Sequence, residues 1–440
     1  MLVDILFFFI KYKRNPEKKS ELIRNFLEKL GPIFIKFGQI LSTRIDLFDK
    51  DLIKSLSQLQ NNISPTNKDI SKRHLKSEYG DNFEKIFKNF SNIPFASASI
   101  SDAYIANVDD TEVVMKLVKP GIEKKIKNSL FSMKIYIFII CLFSKKARKL
   151  KLISALYEIE RIIKLELNMQ IEASNMERIR KQKLKNIVIP MINWEYTTKN
   201  CLVMEKIDGI PINNKYILRK NNINLKFLAE NLISLFFIQI FKFGFFHGDL
   251  HPGNILVVKK KEVKLALLDF GIIGNLKKKD QYYLRENMIA LINRDYFKVA
   301  SLHVESGWIK KNICINTFAA SISSIIEPIF YLPLSKISIS LTLEKLLLTA
   351  KQFSMKILPQ LLLVQKTLIN VEGLARYLYP NINLFEIAKL NVSTWNQKKY
   401  NIIEIAKYLK KKMPFIIDNI NYLPQIFIEF LETKVKNEEE

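Results

Sequence analysis

The sequence predicts an α/β (α+β) protein of two lobes, with a helical N-terminal extension and a helical C-terminal tail. Three observations carry that prediction. Short β-branched and apolar runs bounded by turn residues cluster in the middle of the chain: EVVMKLV at 112–118, IVIPMI at 187–192, CLVMEKI at 201–207, then ILVV and VKLALL around the charged turn Lys259 to Lys261. Helical apolar spacing flanks them, as in Leu22, Phe26 and Leu30 before and in everything beyond Lys277 after. Finally, 440 residues at 48% hydrophobic exceed what one ordinary core accommodates.

Taken in order, residues 1–92 read as a helical extension interrupted by Pro16, Pro32 and Pro65. Residues 93–207 read as a first lobe: a small sheet into which one long helical stretch, running to about Arg180, is inserted. Residues 208–390 form a second lobe, opening with the strongly apolar helix Phe227 to Phe243 and a hairpin, and 391–440 form the tail. The run Ile135 to Phe143 is about half the ~20 residues of a membrane-spanning helix. Lys134 and the pair Lys145, Lys146 fence it, so it is expected to be a buried helix, with an interfacial helix as the alternative. Ile5 to Ile10, preceded by Asp4, lacks a cleavage-type small-residue site and is not expected to be a signal peptide.

Composition narrows the function. Cys141, Cys201 and Cys314 are too few and too scattered for a disulfide framework or a paired metal site. The formal charge of +26 suggests nucleic acid or an anionic membrane, but only 12 of the 69 basic residues are Arg. With no zinc-finger or aromatic-basic motif, nucleic acid is set aside and an anionic membrane surface is retained as partner.

The densest chemistry is His247, Gly248, Asp249, Leu250, His251, Pro252, Gly253, Asn254, followed after a hairpin by Asp269, Phe270, Gly271. Phosphoryl transfer needs a carboxylate near the acceptor oxygen and oxygen ligands that hold magnesium against the phosphates. Asp249 suits the first role, Asn254 and Asp269 the second, and the step of five from Asp249 to Asn254 is that of a kinase catalytic loop. His247 and His251 are four apart, as zinc ligands on a helix can be, but Pro252 and Gly253 oppose a helix, so His247 is read as a loop-holding residue. Lys116 sits mid-strand, either as a solvent-face lysine or aimed at phosphates as in the kinase V-A-I-K strand; the downstream motifs favour the second. Glu166 and Glu172 are its candidate acidic partners. Where kinases place a glycine-rich loop, this chain has Phe95, Ala96, Ser97, Ala98, Ser99, Ile100, Ser101, Asp102 and Ala103, without glycine.

These motifs, together with LGPIFIKFGQILSTRIDLF, ELNMQIEASN and the alanine-type loop ASAS at 96–99, resemble the UbiB family of atypical protein-kinase-like proteins associated with ubiquinone biosynthesis. The resemblance runs from about residue 20 to at least 290 and touches LVQKTLINVEGLARYLYP further on. It implies a two-lobed protein-kinase-like fold and a magnesium- and ATP/ADP-binding site. Asp249 would be the active-site aspartate, Asn254 and Asp269 the Mg2+ ligands, Lys116 and Phe95 to Ala103 nucleotide contacts, and Glu205 with Lys206 the linker facing adenine. It further implies that Lys36, Phe37, Gly38 and Gln39 form the family's Lys-x-Gly-Gln motif, folded over the site with Lys36 paired to Glu166. Ubiquinone-biosynthesis enzymes and their lipid precursor are the implied partners, at the cytoplasmic face of the bacterial inner membrane. Two departures stand out: Asn168 where the family often has an acid, and an end, FLETKVKNEEE, without the C-terminal hydrophobic anchor common in bacterial members. Peripheral attachment is therefore expected, with Ile402 to Phe430 as either a membrane-facing or a core-packing stretch. Two other readings are a small-molecule phosphotransferase, which HGDLHPGN also suits, and a non-catalytic nucleotide-gated scaffold.

Overall fold

The computed structural model describes residues 19–30, 32–41, 50–57, 59, 68–91, 93–143, 152–259, 261–309, 313–330, 337–355 and 358–396. Ile5 to Ile10, Ile402 to Phe430 and the end of the chain lie outside them. Residues 1–388 form one compact unit and 389–440 a second, represented by the end of the last described helix.

The extension supplies α1 (Lys19–Leu30), α2 (Pro32–Leu41), α3 (Lys50–Ser57), α4 (Lys68–Tyr79) and the short α5 (Phe83–Ile86). An ideal Cβ on Gly38, in α2, would collide with Leu59 and stand 2.9 Å from Leu27, so the glycine lets α2 approach α1 closely. The first lobe is an antiparallel sheet, β1 (Ala96–Ser97), β2 (Ser101–Val108), β3 (Thr111–Val118) and β5 (Cys201–Glu205), in that spatial order. One face is packed: Met115 and Leu117 of β3 join Tyr104, Ala106, Cys201 and Val203 against Leu75, Phe83 and Phe87 of the extension. Strand alternation sends Lys116 to the other face.

Among the described residues the insertion between β3 and β5 holds the helices α6 (Ile122–Phe143), α7 (Leu152–Glu166) and α8 (Met169–Arg180). Asn168 caps α8, its side chain accepting from the Gln170 N–H, and so separates α8 from α7. The expected buried helix at Ile135 to Phe143 is corrected. Ile122, Ile126, Leu130 and Met133 bury one stripe of α6, but Phe131, Ile135, Phe138, Ile139 and Leu142 are exposed, as are Ile153 and Tyr157 of α7. IVIPMI is also corrected. Only β4 (Ile187–Val188) forms, pairing parallel to β9 of the second lobe, and Ile192 makes a single bridge to Met204. Pro190, which has no N–H to give, interrupts the run.

In the second lobe β6 (Ile210–Pro211) precedes α9 (Lys215–Lys220) and the apolar α10 (Leu225–Ile238). Then come β7 (Phe245–His247), the expected hairpin β8 (Ile255–Lys259) and β9 (Val263–Leu267), and β10 (Ile273–Asn275), which returns to pair with β7. Helices follow: α11 (Lys278–Ile292), α12 (Tyr296–Glu305), α13 (Ile315–Phe330), α14 (Ile339–Gln352), α15 (Pro359–Leu378) and α16 (Leu384–Asn396). Val299, Trp308, Phe318, Ile322, Leu347 and Leu361 belong to a core shared by α11 to α15. α15 packs along α10 and touches β10, which brings α15 against the HGDLHPGN loop.

Candidate active site

Lys116 is the centre of the site. β3 lies between β2 and β5, with Lys116 opposite Ala103 and Leu202, so both neighbours hold the backbone that aims it. Its ammonium lies 2.7 Å and 2.9 Å from the two carboxylate oxygens of Glu172 and 2.9 Å from Asp269 Oδ2. The two sequence candidates for its partner are thereby separated. Glu172, on the buried stripe of α8 with Ala173, Met176 and Ile179, takes the role; Glu166, at the end of α7, lies instead beside Gly271, its Cγ 3.9 Å from where a Cβ would stand.

α8 also grips the segment carrying Asp269. Glu172 Oε1 accepts from the Phe270 N–H at 3.2 Å, and Asn175 Nδ2 donates to the Phe270 carbonyl at 3.2 Å. Phe270 is fully buried against the His247 ring. The Gly271 N–H donates to Asp269 Oδ1 at 2.9 Å, which fixes the carboxylate's orientation.

The electrostatics follow from two carboxylates sharing one ammonium. Burial works against charge on all three groups. For Asp269 the Lys116 charge and the Gly271 N–H outweigh it and hold the carboxyl below its usual range. For Lys116 the two carboxylates outweigh desolvation and raise the ammonium's pKa. For Glu172 desolvation wins and pushes the carboxyl up, with Asp269's charge acting in the same direction. The result is a charged Lys116–Asp269 pair whose aspartate side chain keeps 40% of its surface open to the cleft.

The HGDLHPGN loop is shaped by its own hydrogen bonds. His247 Nδ1 accepts from the Asp249 N–H at 3.1 Å, and burial holds the imidazole pKa below its usual value, so the ring is neutral with its proton on Nε2. His251 caps the short turn Pro252–Asn254 by accepting from the Gly253 N–H. Both histidines thus act as acceptors within the loop, and among the described residues no group of three His, Cys, Asp or Glu is placed to hold a metal. Gly248 has no room for a side chain: a Cβ would stand 2.9 Å from Ile272 Cγ2 and 3.1 Å from Leu363 Cδ1.

Asn254 Nδ2 donates to the Asp249 carbonyl at 3.3 Å, and the Asn254 carbonyl accepts from the Leu268 N–H at 3.0 Å. The hairpin therefore sets Asn254 beside the residue before Asp269. With its amide N–H engaged, Asn254 has its Oδ1 left to coordinate. An Asp and an Asn oxygen suit Mg2+, a hard cation that completes its shell with water and phosphate oxygens, and do not suit zinc. A bound Mg2+ would be held by Asp269 and Asn254 and would neutralise phosphate charge.

The loop at residues 95–103 divides in two. Phe95, Ala96, Ser97 and Ala98 are exposed, whereas Ser99, Ile100, Ser101 and Asp102 are buried and Ala103 half-buried on β2. Ser97 Oγ donates to Asp102 Oδ1 at 2.6 Å, and Lys119 reaches both, at 2.9 Å and 3.3 Å. A polar knot thus pins the loop where kinases use flexible glycines. At the linker, Glu205 N donates to the Met191 carbonyl at 2.7 Å and Lys206 pairs with Glu112 at 2.7 Å, so the Glu205 N–H is engaged by the segment that follows β4. The backbones of Lys36 and Gln39 lie in α2; their side chains, and with them the expected Lys36–Glu166 pair, fall outside the described residues.

Three residues that the sequence reading gave no role make contacts at the site. Asn175 and Lys119 are described above. The third is Lys366 of α15, whose ammonium sits 3.1 Å from Asp249 Oδ1, with His251 Nε2 3.7 Å from the other oxygen. The available signal was a lysine and a threonine inside the apolar helical text LVQKTLINVEG.

Comparison with known proteins agrees with this geometry. The ABC1 atypical kinase-like domain matches residues 58–303 and the UbiB helical domain matches 322–383. The chain belongs to the UbiB family of ABC1 atypical kinase-like proteins. It is 40% identical to the "Probable protein kinase UbiB" of Blochmanniella pennsylvanica over 92% of this chain and 76% of that one. It is 38% identical to the protein of the same name from Marinobacter nauticus, over 96% and 79% respectively. Among solved structures it resembles the erythromycin complex of Rv3197 from Mycobacterium tuberculosis, with a TM-score of 0.51 at 18% identity over 83% of this chain and 99% of that one. That likeness is one of fold. The protein is atypical and kinase-like, and the boundary between the two matched domains places Lys366 in the UbiB helical domain.

Proposed function

We propose that the protein binds ATP with Mg2+ between its lobes and transfers the γ-phosphoryl group, to water when no other acceptor is present, in support of ubiquinone biosynthesis. The convergence of Lys116, Glu172 and Asp269 within 2.9 Å carries this reading, because that arrangement positions a cation for phosphates beside a metal-binding carboxylate. In the step itself the acceptor oxygen bonds to the γ-phosphorus and its proton passes to Asp249. The bond from the γ-phosphorus to the bridging oxygen breaks, and its electron pair leaves on ADP. Asp249 orients and receives; Asn254 and Asp269 hold Mg2+; Lys116, Glu205 and the loop Phe95 to Ala103 place the nucleotide. Lys36 and Gln39 would narrow the acceptor side. Mg2+ supplies charge neutralisation when bound.

The partners follow from family and surface. Ubiquinone-biosynthesis enzymes and their lipid precursor are the proposed clients, reached from the cytoplasmic face of the bacterial inner membrane. No described helix is long and apolar enough to cross a membrane. The exposed apolar side chains Phe131, Ile135, Phe138 and Leu142 of α6 and Tyr157 of α7 instead offer a surface for peripheral contact. Exposed Lys124, Lys125 and Lys127 start α6, and the sequence between α6 and α7 carries Lys145, Lys146, Arg148, Lys149 and Lys151 with no acid, which favours an anionic leaflet. The test is turnover of ATP by purified protein with vesicles containing anionic lipid and with neutral vesicles. Stimulation by the anionic vesicles alone supports the membrane assignment, and equal turnover with both removes it.

A further inference from the structure

Lys366 brings a cation to the catalytic loop from a helix that no kinase motif contains. Leu363, Lys366 and Thr367 lie on one face of α15, three and four residues apart, and all three meet the loop. Leu363 closes on Gly248, the Thr367 hydroxyl is shared between the Leu363 carbonyl at 2.8 Å and the Gly248 carbonyl at 3.1 Å, and Lys366 Nζ stands 3.1 Å from Asp249 Oδ1. Leu363 and Thr367 already fasten the helix to the loop, which leaves the ammonium surplus to that fastening. Its side chain is 33% exposed, so it reaches the cleft rather than the core.

We propose that Lys366 is a catalytic residue that rests on Asp249 without nucleotide and contacts the γ-phosphoryl group of bound ATP. The inference rests on the kinase-like reading of the site. Asp249 stands next to the acceptor oxygen, which approaches the γ-phosphorus in line, so a cation against Asp249 is within a few ångströms of the transferring group. Lys116, from the first lobe, pairs with Glu172 and Asp269 and not with Asp249, so the two lysines approach the site from different sides of its acidic groups. Lys366 pairs with Asp249, and a four-carbon stem allows its head to move while Leu363 and Thr367 keep the helix against the loop. Charge building up on the phosphoryl oxygens is what such a cation stabilises. The UbiB helical domain thereby contributes directly to the site.

The test compares the affinities of AMP-PNP and ADP, each with Mg2+, by titration calorimetry on the full chain. Lys366→Met is expected to weaken AMP-PNP roughly tenfold, the worth of one charge-assisted hydrogen bond, while ADP stays within about twofold. The turnover number should fall about a hundredfold, and Lys366→Arg should restore most of the preference for the triphosphate. If AMP-PNP and ADP shift together or not at all in a folded variant, the proposal is overturned; an arginine variant no better than methionine also overturns it. Should Lys366→Met lose its cooperative melting transition, Lys366→Gln, neutral but able to donate to Asp249, decides by the same comparison. Failure of the unaltered protein to bind either nucleotide is a distinct result that removes the kinase-like reading itself.

Discussion

Lys116→Met isolates the electrostatics of the site from its chemistry, because it can be read in the absence of nucleotide. The side chain is nearly isosteric in its stem, so packing on β3 survives and what disappears is one charge. Glu172, whose side chain is 5% exposed, is then left with Asp269 close by and no ammonium between them. Removing one partner of a buried pair costs about 3–5 kcal/mol. Asp269, at 40% exposure, recovers solvation, so its share is discounted and the expected loss lies near the lower end, about 3 kcal/mol. Glu172 can also lower the cost by taking up a proton, for its carboxyl is already pushed up by burial. The assay is denaturant unfolding of the variant, of Glu172→Leu and of the double variant. An apolar pair restores compatibility, so the double variant is expected to be more stable than the sum of the single losses, by about 2 kcal/mol. Strict additivity, or a single-variant loss below about 1 kcal/mol, would refute the claim that Lys116 and Glu172 form a buried, mutually dependent pair.

Other consequences are open to measurement. Gly38→Ala would push a methyl group into Leu59 and Leu27, and the overpacking should cost about 1–3 kcal/mol in unfolding experiments. His303 donates through Nδ1 to the Val299 carbonyl, and burial between Trp308 and Phe318 holds its pKa down, as burial does for His247. The unfolded chain therefore binds protons first, and stability should fall as pH drops below about 6.5, by up to about 1.4 kcal/mol per pH unit for each histidine. Melting curves between pH 5 and 7 should show that slope, and His303→Gln should flatten it. Chelating Mg2+ should weaken ATP binding more than adenosine binding, because an ion held by Asp269 and Asn254, as proposed, would meet the phosphates and not the base. Equal weakening of both ligands would count against that assignment.

Much of the site was legible because its parts are local in sequence. Asp249 and Asn254 share one loop, and Asp269 follows across a hairpin whose two strands announce themselves by β-branched runs. Lys116 was visible as a charge inside a strand that buries Met115 and Leu117. What was not legible depends on tertiary placement. Glu166 and Glu172 are both glutamates six residues apart, and only the break at Asn168 decides which faces Lys116. Lys119 and Asp102 are ordinary charges until the β2–β3 pairing sets them beside Ser97. Lys366 lies 117 residues beyond Asp249, so nothing short of the packing of α15 on the loop reveals the pair. The exposed face of α6 misleads for the opposite reason: an apolar run reads as core unless its environment is known, and Phe138 and Leu142 face outward.

The central claim is that Asp249, Asn254 and Asp269 form a working phosphoryl-transfer centre. Its most direct test is ATP turnover with Mg2+ by the unaltered protein and by Asp249→Asn, with nucleotide affinity measured alongside. Turnover reduced by about 10²–10⁴-fold at near-normal ATP affinity is the expected result. Turnover that survives Asp249→Asn, or an unaltered protein that binds no ATP, would contradict it.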